Sequence, residues 1–80
     1  MNFYNTFPRK IMVEIFKTNV EDTLQAEKII RLLNQYFPAF HINFDLHDCD
    51  KILRIKGESI RISEIEKIVN SSGFLCSVIN

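Results

Sequence analysis

The sequence predicts an α+β domain of four strands and two helices. Three observations favour this class. Residues 40–47 alternate apolar and polar side chains, as in a strand with one buried face, and three further short segments rich in apolar residues lie near 11–17, 51–56 and 74–79. Two longer segments, 22–37 and 63–70, repeat apolar residues at spacings of three and four, as in amphipathic helices. The 80 residues, of which 46% are hydrophobic, correspond in length and composition to one small globular domain.

The first strand is predicted over residues 11–17, where two sets of side chains alternate. The β-branched set is assigned to the core because such residues favour strands: Ile11, Val13 and Ile15. The opposite face of this strand then carries Met12 and Phe16. Two large apolar residues are unusual on a solvated face.

The first helix is predicted from about Asp22 to Phe37. Asp22 followed by Gln25 three residues later fits a capping box, in which the two side chains satisfy free N–H groups at the helix start. Pro38 ends the helix because it disfavours α geometry in the preceding residue. The helix carries one apolar stripe: Ala26, Ile29, Ile30, Leu33 and Phe37.

Residues 40–47 and 51–56 are predicted to form a hairpin around the turn Asp48-Cys49-Asp50. The first of these strands alternates without interruption, with four apolar residues inward: Phe40, Ile42, Phe44 and Leu46. Its outer face carries four polar residues: His41, Asn43, Asp45 and His47. The second strand points Leu53 and Ile55 inward and the following three residues outward: Ile52, Arg54 and Lys56.

The second helix is predicted to begin at Ser63, where Ser63 and Glu66 have the spacing of a capping box. Gly73 suits the left-handed position after a helix end. The last strand follows, with three residues inward: Phe74, Cys76 and Val78. Its outer face carries three others: Leu75, Ser77 and Ile79.

The order strand, helix, strand, strand, helix, strand predicts the ferredoxin-like βαββαβ sandwich. Right-handed crossovers then give one antiparallel sheet in the order 4-1-3-2, with both helices on one face. We assign residues 11–80 to this domain and residues 1–10 to an N-terminal arm. The arm contains three aromatic residues: Phe3, Tyr4 and Phe7.

The stretch Thr18-Asn19-Val20-Glu21-Asp22-Thr23-Leu24-Gln25, together with Gly73-Phe74 before the last strand, resembles the heavy-metal-associated (HMA) domain family over about residues 11–79. In that family the first turn carries Met-x-Cys-x-x-Cys, whose two thiolates bind a soft ion. Here Val20 stands at the Met position, and Asp22 and Gln25 stand at the Cys positions. The resemblance therefore implies the HMA fold and small inter-domain contacts, without the metal-binding motif.

Composition excludes several functional classes. Ten basic and ten acidic residues give zero formal charge, whereas nucleic-acid-binding domains usually have a basic excess. The sequence shows no apolar export signal or membrane span, and two cysteines in such a chain are expected to stay reduced. We expect a cytoplasmic protein with no nucleic-acid or membrane partner. No catalytic motif supports an enzyme, and no cofactor is expected.

Two groups of residues carry side chains that could bind a metal ion. Asp22 and Gln25 could hold a hard cation, but helix capping explains both. A weak transition-metal site could use His47 and Cys49 with Asp45, although the ligand count falls short of a zinc site. The favoured prediction is that no metal is bound, with this second group as the alternative.

The open face of the predicted sheet is the leading functional surface. Sheet order places five apolar residues there: Met12, Phe16, Ile52, Leu75 and Ile79. Large exposed apolar patches on small domains usually mark contact surfaces. We expect this face to dock a protein partner or to form a homodimer. The alternative is that the N-terminal arm covers it, since ten residues can extend roughly 33 Å.

Overall fold

The computed structural model describes residues 10–79. Six elements follow in the predicted order: β1 (Met12–Thr18), α1 (Thr23–Tyr36), β2 (His41–Asp45), β3 (Ile52–Gly57), α2 (Ile62–Ser71) and β4 (Cys76–Val78). The predicted N-terminal arm lies outside the described residues except for Lys10. The strands β2 and β4 are shorter than predicted, because residues 46–47 enter the hairpin turn and residues 74–75 precede the ladder.

The four strands form one antiparallel sheet in the order β2-β3-β1-β4. This is the predicted order 4-1-3-2, read from the opposite edge. Strand β1 is central, with β3 on one side and β4 on the other. The element order and the sheet order are compatible with a ferredoxin-like fold.

The core lies between one face of the sheet and both helices. Its members from the helices follow the predicted apolar stripes: Ala26, Ile29, Leu33, Ile65 and Val69. Its members from the sheet and from the turn after β1 point toward these helices: Phe16, Val20, Leu53, Ile55 and Cys76. The two helices therefore cover the same face of the sheet and leave the other face open.

The predicted orientation of β1 is wrong. The Phe16 side chain is fully buried, whereas Ile11 and Val13 are about half exposed, at 54% and 50%. In the ladder Phe16 lies opposite Leu53, and directly opposed residues share a sheet face. Met12 and Phe16 are therefore on the helix-covered face, and Ile11, Val13 and Ile15 are on the open face.

The start of α1 confirms the predicted capping box. Asp22 is the N-cap, and its carboxylate accepts the Gln25 backbone N–H at 2.8 Å. The Gln25 side-chain oxygen in turn accepts the Glu21 N–H at 3.0 Å. The first bond satisfies one of the N–H groups that a helix start leaves free, and the second holds the residue before the cap in place.

The predicted start of α2 is wrong, and its predicted end is confirmed. Arg61 is the N-cap, and no side chain caps the helix, so Ser63 lies inside the first turn. At the other end Gly73 adopts a φ of +95°, a conformation that glycine reaches without steric cost. The Phe74 N–H then reaches the Val69 carbonyl at 3.4 Å, as in a Schellman ending.

The reversed face of β1 can be tested by comparing Phe16→Ala with Val13→Ala. Phe16→Ala should lower the free energy of unfolding by about 3–5 kcal/mol, because it leaves a cavity in the core. Val13→Ala should change it by only about 0.5 kcal/mol, as is usual at an exposed position. Urea unfolding followed by circular dichroism measures both. A larger loss for Val13→Ala would show that the core lies on the other side of β1.

Candidate functional site: the open face of the sheet

The open face carries an apolar ridge along β1 and β4. Three residues of the ridge come from β1 and the residue before it: Ile11, Val13 and Ile15. Two come from the β4 side, where Leu75 is 69% exposed and Ile79 is 41% exposed. The Ile79 N–H donates to the Ile15 carbonyl at 2.8 Å, which fixes the two halves of the ridge side by side. We call these five residues the apolar ridge.

A cationic strand borders the apolar ridge. On β3, Arg54 lies opposite Ile15 and Lys56 lies opposite Val13, so both cations share the open face with the ridge. Both are exposed, and neither forms an ion pair with any residue between 10 and 79. The surface therefore combines apolar side chains with two cations that form no ion pair within residues 10–79.

Ile52 contributes little to this surface. Its register opposite Asp45 places it on the open face, and it is absent from the contiguous core cluster. Yet only 7% of it is exposed. Of the five residues predicted for the interface, Leu75 and Ile79 are therefore exposed on the open face, while Met12 and Phe16 face the helices.

Sequence reasoning missed Ile11, Val13 and Ile15 as surface residues. The alternation of β1 was visible, but both of its faces carry large apolar side chains. A period of two separates the faces without saying which one the helices cover. The polar residues did not decide the question either, because Glu14 lies on the face of Phe16 and Lys17 lies on the face of Ile15.

The turn between β1 and α1 is closed by hydrogen bonds within the protein. The Thr18 hydroxyl donates to the Lys51 carbonyl at 2.6 Å and accepts the Val20 N–H at 3.1 Å. The Asn19 side-chain oxygen accepts the Leu75 N–H at 2.8 Å. The turn is thus tied to the residues that precede β3 and β4. Asp22 and Gln25 cap the helix that follows the turn.

The chain matches no family model, no curated protein and no solved structure. None of its helices within residues 10–79 has the length and apolar character needed to cross a bilayer. The function of the protein is therefore inferred from the geometry of its surfaces and turns.

The structure does not bring the alternative metal ligands together. Within the described part of the chain, the metal-type ligand atoms that lie within 4.8 Å of one another belong to Asp48, Cys49 and Asp50. His47 and Asp45 are outside this group, although one Asp45 carboxylate oxygen accepts the His47 backbone N–H at 3.2 Å.

The carboxylates of the hairpin turn already have protein partners. Asp48 accepts the Asp50 backbone N–H at 2.8 Å, and the Asp50 carboxylate lies 3.7 Å from the Lys17 ammonium. Asx bonds of this kind are the usual way in which aspartates stabilise a turn. The acidic residues around Cys49 are therefore explained by the conformation of the turn.

The two cysteines are free thiols with different environments. Cys49 is exposed in the hairpin turn, and Cys76 is buried on β4, as predicted for its inward direction. Burial, and secondarily the nearby Glu66 carboxylate, raise the pKa of the Cys76 thiol to about 12. Because the thiolate is the reactive form, Cys76 is inert at neutral pH.

Alkylation at pH 8 should separate these two thiols. Cys49 should react with iodoacetamide as an exposed thiol, and Cys76 should react about a thousandfold more slowly, since each unit of raised pKa reduces its thiolate tenfold. Mass spectrometry of the intact protein would follow both reactions. Glu66→Gln is the control, because it removes the charge and keeps an oxygen acceptor. Equal rates at Cys49 and Cys76 would contradict the buried position of Cys76.

The capping role of Asp22 predicts a specific loss of stability. Asp22→Ala should lower the free energy of unfolding by about 1 kcal/mol, because one N–H group of the first turn loses its acceptor. Thr23→Ala, at the exposed next position, is the matched control and should have a smaller effect. Urea unfolding measures both variants. A stabilisation by zinc that disappears in Asp22→Ala would instead identify the turn as a cation site.

Proposed function

We propose that this chain is a small non-enzymatic binding module of HMA-like, ferredoxin-like fold that contacts a protein partner through its open sheet face. The observation that carries this proposal is the apolar ridge, which no helix of the described chain covers. Four of its five residues are between 41% and 70% exposed. Contiguous apolar surface of this kind on a small domain is typical of a contact site.

The HMA-like part of the proposal is supported by the first turn and the last helix. Val20, at the family's Met position, is fully buried. Asp22 and Gln25, at the two Cys positions, use their side-chain oxygens for helix capping. Gly73 keeps its place before the last strand with a left-handed conformation. In this proposal the scaffold carries helix-capping side chains where the family has soft-metal ligands.

The composition of the open face favours a protein partner over a nucleic acid. Sequence-specific binding of single-stranded RNA on a sheet needs aromatic rings on the central strands for base stacking. Phe16, the one aromatic residue within β1, is in the core, and β3 contains none. Arg54 and Lys56 are two isolated cations, which suit acidic side chains at the rim of a protein interface.

We place the module in the cytoplasm, since both of its cysteines are free and reduced thiols persist in that compartment. The partner would present apolar side chains to the ridge and carboxylates to Arg54 and Lys56. Its carboxylates would accelerate association, and the buried apolar area would supply most of the affinity.

Val13→Asp tests the proposed surface. The charge falls in the middle of the apolar ridge at a half-exposed position, so the fold should persist while partner binding is lost. Binding would be measured by quantitative mass spectrometry of proteins that the immobilised domain retains from cell extract. A retained protein would then be purified and titrated by calorimetry against the wild type and Val13→Asp.

Leu24→Asp is the matched control, because Leu24 is equally apolar and 70% exposed but lies on α1 in the opposite layer. It should retain the partner. Arg54→Glu with Lys56→Glu should weaken binding and reduce its dependence on salt. Equal retention by Val13→Asp and the wild type would show that the ridge is not the binding surface.

A further inference from the structure

The two edges of the sheet are protected differently. Strand β4 is only three residues long, and the Glu66 carboxylate on α2 accepts its Val78 N–H at 2.9 Å. Such short or covered edges prevent pairing with another chain. The other edge strand, β2, is five residues long. No loop or side chain of residues 10–79 forms a hydrogen bond with the backbone of Ile42 or Phe44.

The alternation of the ladder identifies which groups of β2 face outward. The bond from the Ile79 N–H to the Ile15 carbonyl shows that Ile15 bonds toward β4. In an antiparallel sheet consecutive residues of a central strand bond to opposite neighbours, so Phe16 bonds toward β3. Its partner Leu53 therefore bonds toward β1, and Arg54 bonds toward β2.

Arg54 is paired with Asn43, so Asn43 directs its backbone bonds inward to β3. Its neighbours Ile42 and Phe44 then direct their N–H and C=O groups to the free edge. These groups form a template on which an extended chain could add as a fifth strand.

We propose that β2 pairs with β2 of a second copy of this chain, antiparallel and centred on Asn43, to give one continuous eight-stranded sheet. In this register Ile42 lies opposite the partner's Phe44, and each such pair exchanges two main-chain hydrogen bonds. All five residues of β2 are then paired.

Complementary hydrogen-bonding side chains select both the partner and the register. The centred pairing sets His41 opposite the partner's Asp45 on both sides of the two-fold axis, and Asn43 opposite the partner's Asn43. These are non-hydrogen-bonded pairs, in which side chains approach most closely. One oxygen of Asp45 holds the His47 N–H, and its other oxygen has no hydrogen-bond partner among residues 10–79 and can accept from the imidazole.

Shifting the register by two residues loses this complementarity. One shift sets His41 opposite the partner's Asn43, and the other sets it opposite the partner's His47. The helix-side residues Ile42 and Phe44 are half-buried, and β2 is flanked there by a groove whose apolar lining includes Ala26, Ile30 and Leu46. Self-pairing would extend this apolar layer across the junction.

A disulfide test reads the register directly. Non-hydrogen-bonded pairs hold their Cα atoms about 4.5 Å apart, within the range that a disulfide spans. Asn43→Cys in a Cys49→Ser background should therefore form a covalent dimer nearly quantitatively under mild oxidation. Ser77→Cys in the same background, on the open face of β4, is the control and should stay monomeric on non-reducing gels.

A charge swap tests the pairing without a covalent link. His41→Asp should raise the dimer dissociation constant roughly tenfold, since like charges then face each other twice. His41→Asp combined with Asp45→His restores a histidine opposite an aspartate in the same register and should restore the dimer. His47→Asp adds the same charge beyond the end of β2 and should have little effect. Sedimentation velocity at several concentrations measures all four proteins.

The proposal would be overturned by a monomeric wild type at submillimolar concentration, by a dimer indifferent to His41→Asp, or by equal cross-linking of Asn43→Cys and Ser77→Cys. The test is independent of the function proposed for the open face. Val13→Asp should leave the dimer intact, because Val13 lies on a central strand and not at the edge. Loss of the dimer in Val13→Asp would place self-association on the apolar ridge instead.

Discussion

The burial of Phe16 in the central strand is the constraint on which the rest of the structure depends. It is fully buried, opposite Leu53 in the ladder, and burying one phenylalanine contributes about 1.5–3 kcal/mol. In a chain of 80 residues the core is thin, so this one side chain determines which face of β1 the helices cover. The exposed apolar ridge is the consequence, because Val13 and its neighbours are left on the opposite face.

The first turn is held by hydrogen bonds from its own side chains. The Asp22 carboxylate accepts the Gln25 N–H of the first helical turn, and the Gln25 side chain accepts the Glu21 N–H. The buried Thr18 hydroxyl donates to the Lys51 carbonyl just before β3. Function must then be sought on the surfaces of the sheet, at its uncovered face and at its unprotected edge.

Elements and topology were predictable because their signals are local and repeated. The apolar stripe of α1, the cap at Asp22 and the left-handed Gly73 each depend on a few residues near one another in sequence. The start of α2 was not predictable from the same kind of motif. Glu66, the expected capping partner of Ser63, instead accepts a hydrogen bond from Val78 on the edge strand, a contact made between distant parts of the chain.

The sequence by itself determined the class of the fold, the order of its strands, the helix stripes and the absence of a cysteine pair from the first turn. Only the tertiary structure decided which face of β1 is buried, because Met12 and Phe16 on one side and Ile11, Val13 and Ile15 on the other are both apolar. A strand with two apolar faces has no preferred side until the helices cover one of them. The tertiary structure also placed the Glu66 side chain against the β4 edge of the sheet, which shields that edge, and left the β2 edge open.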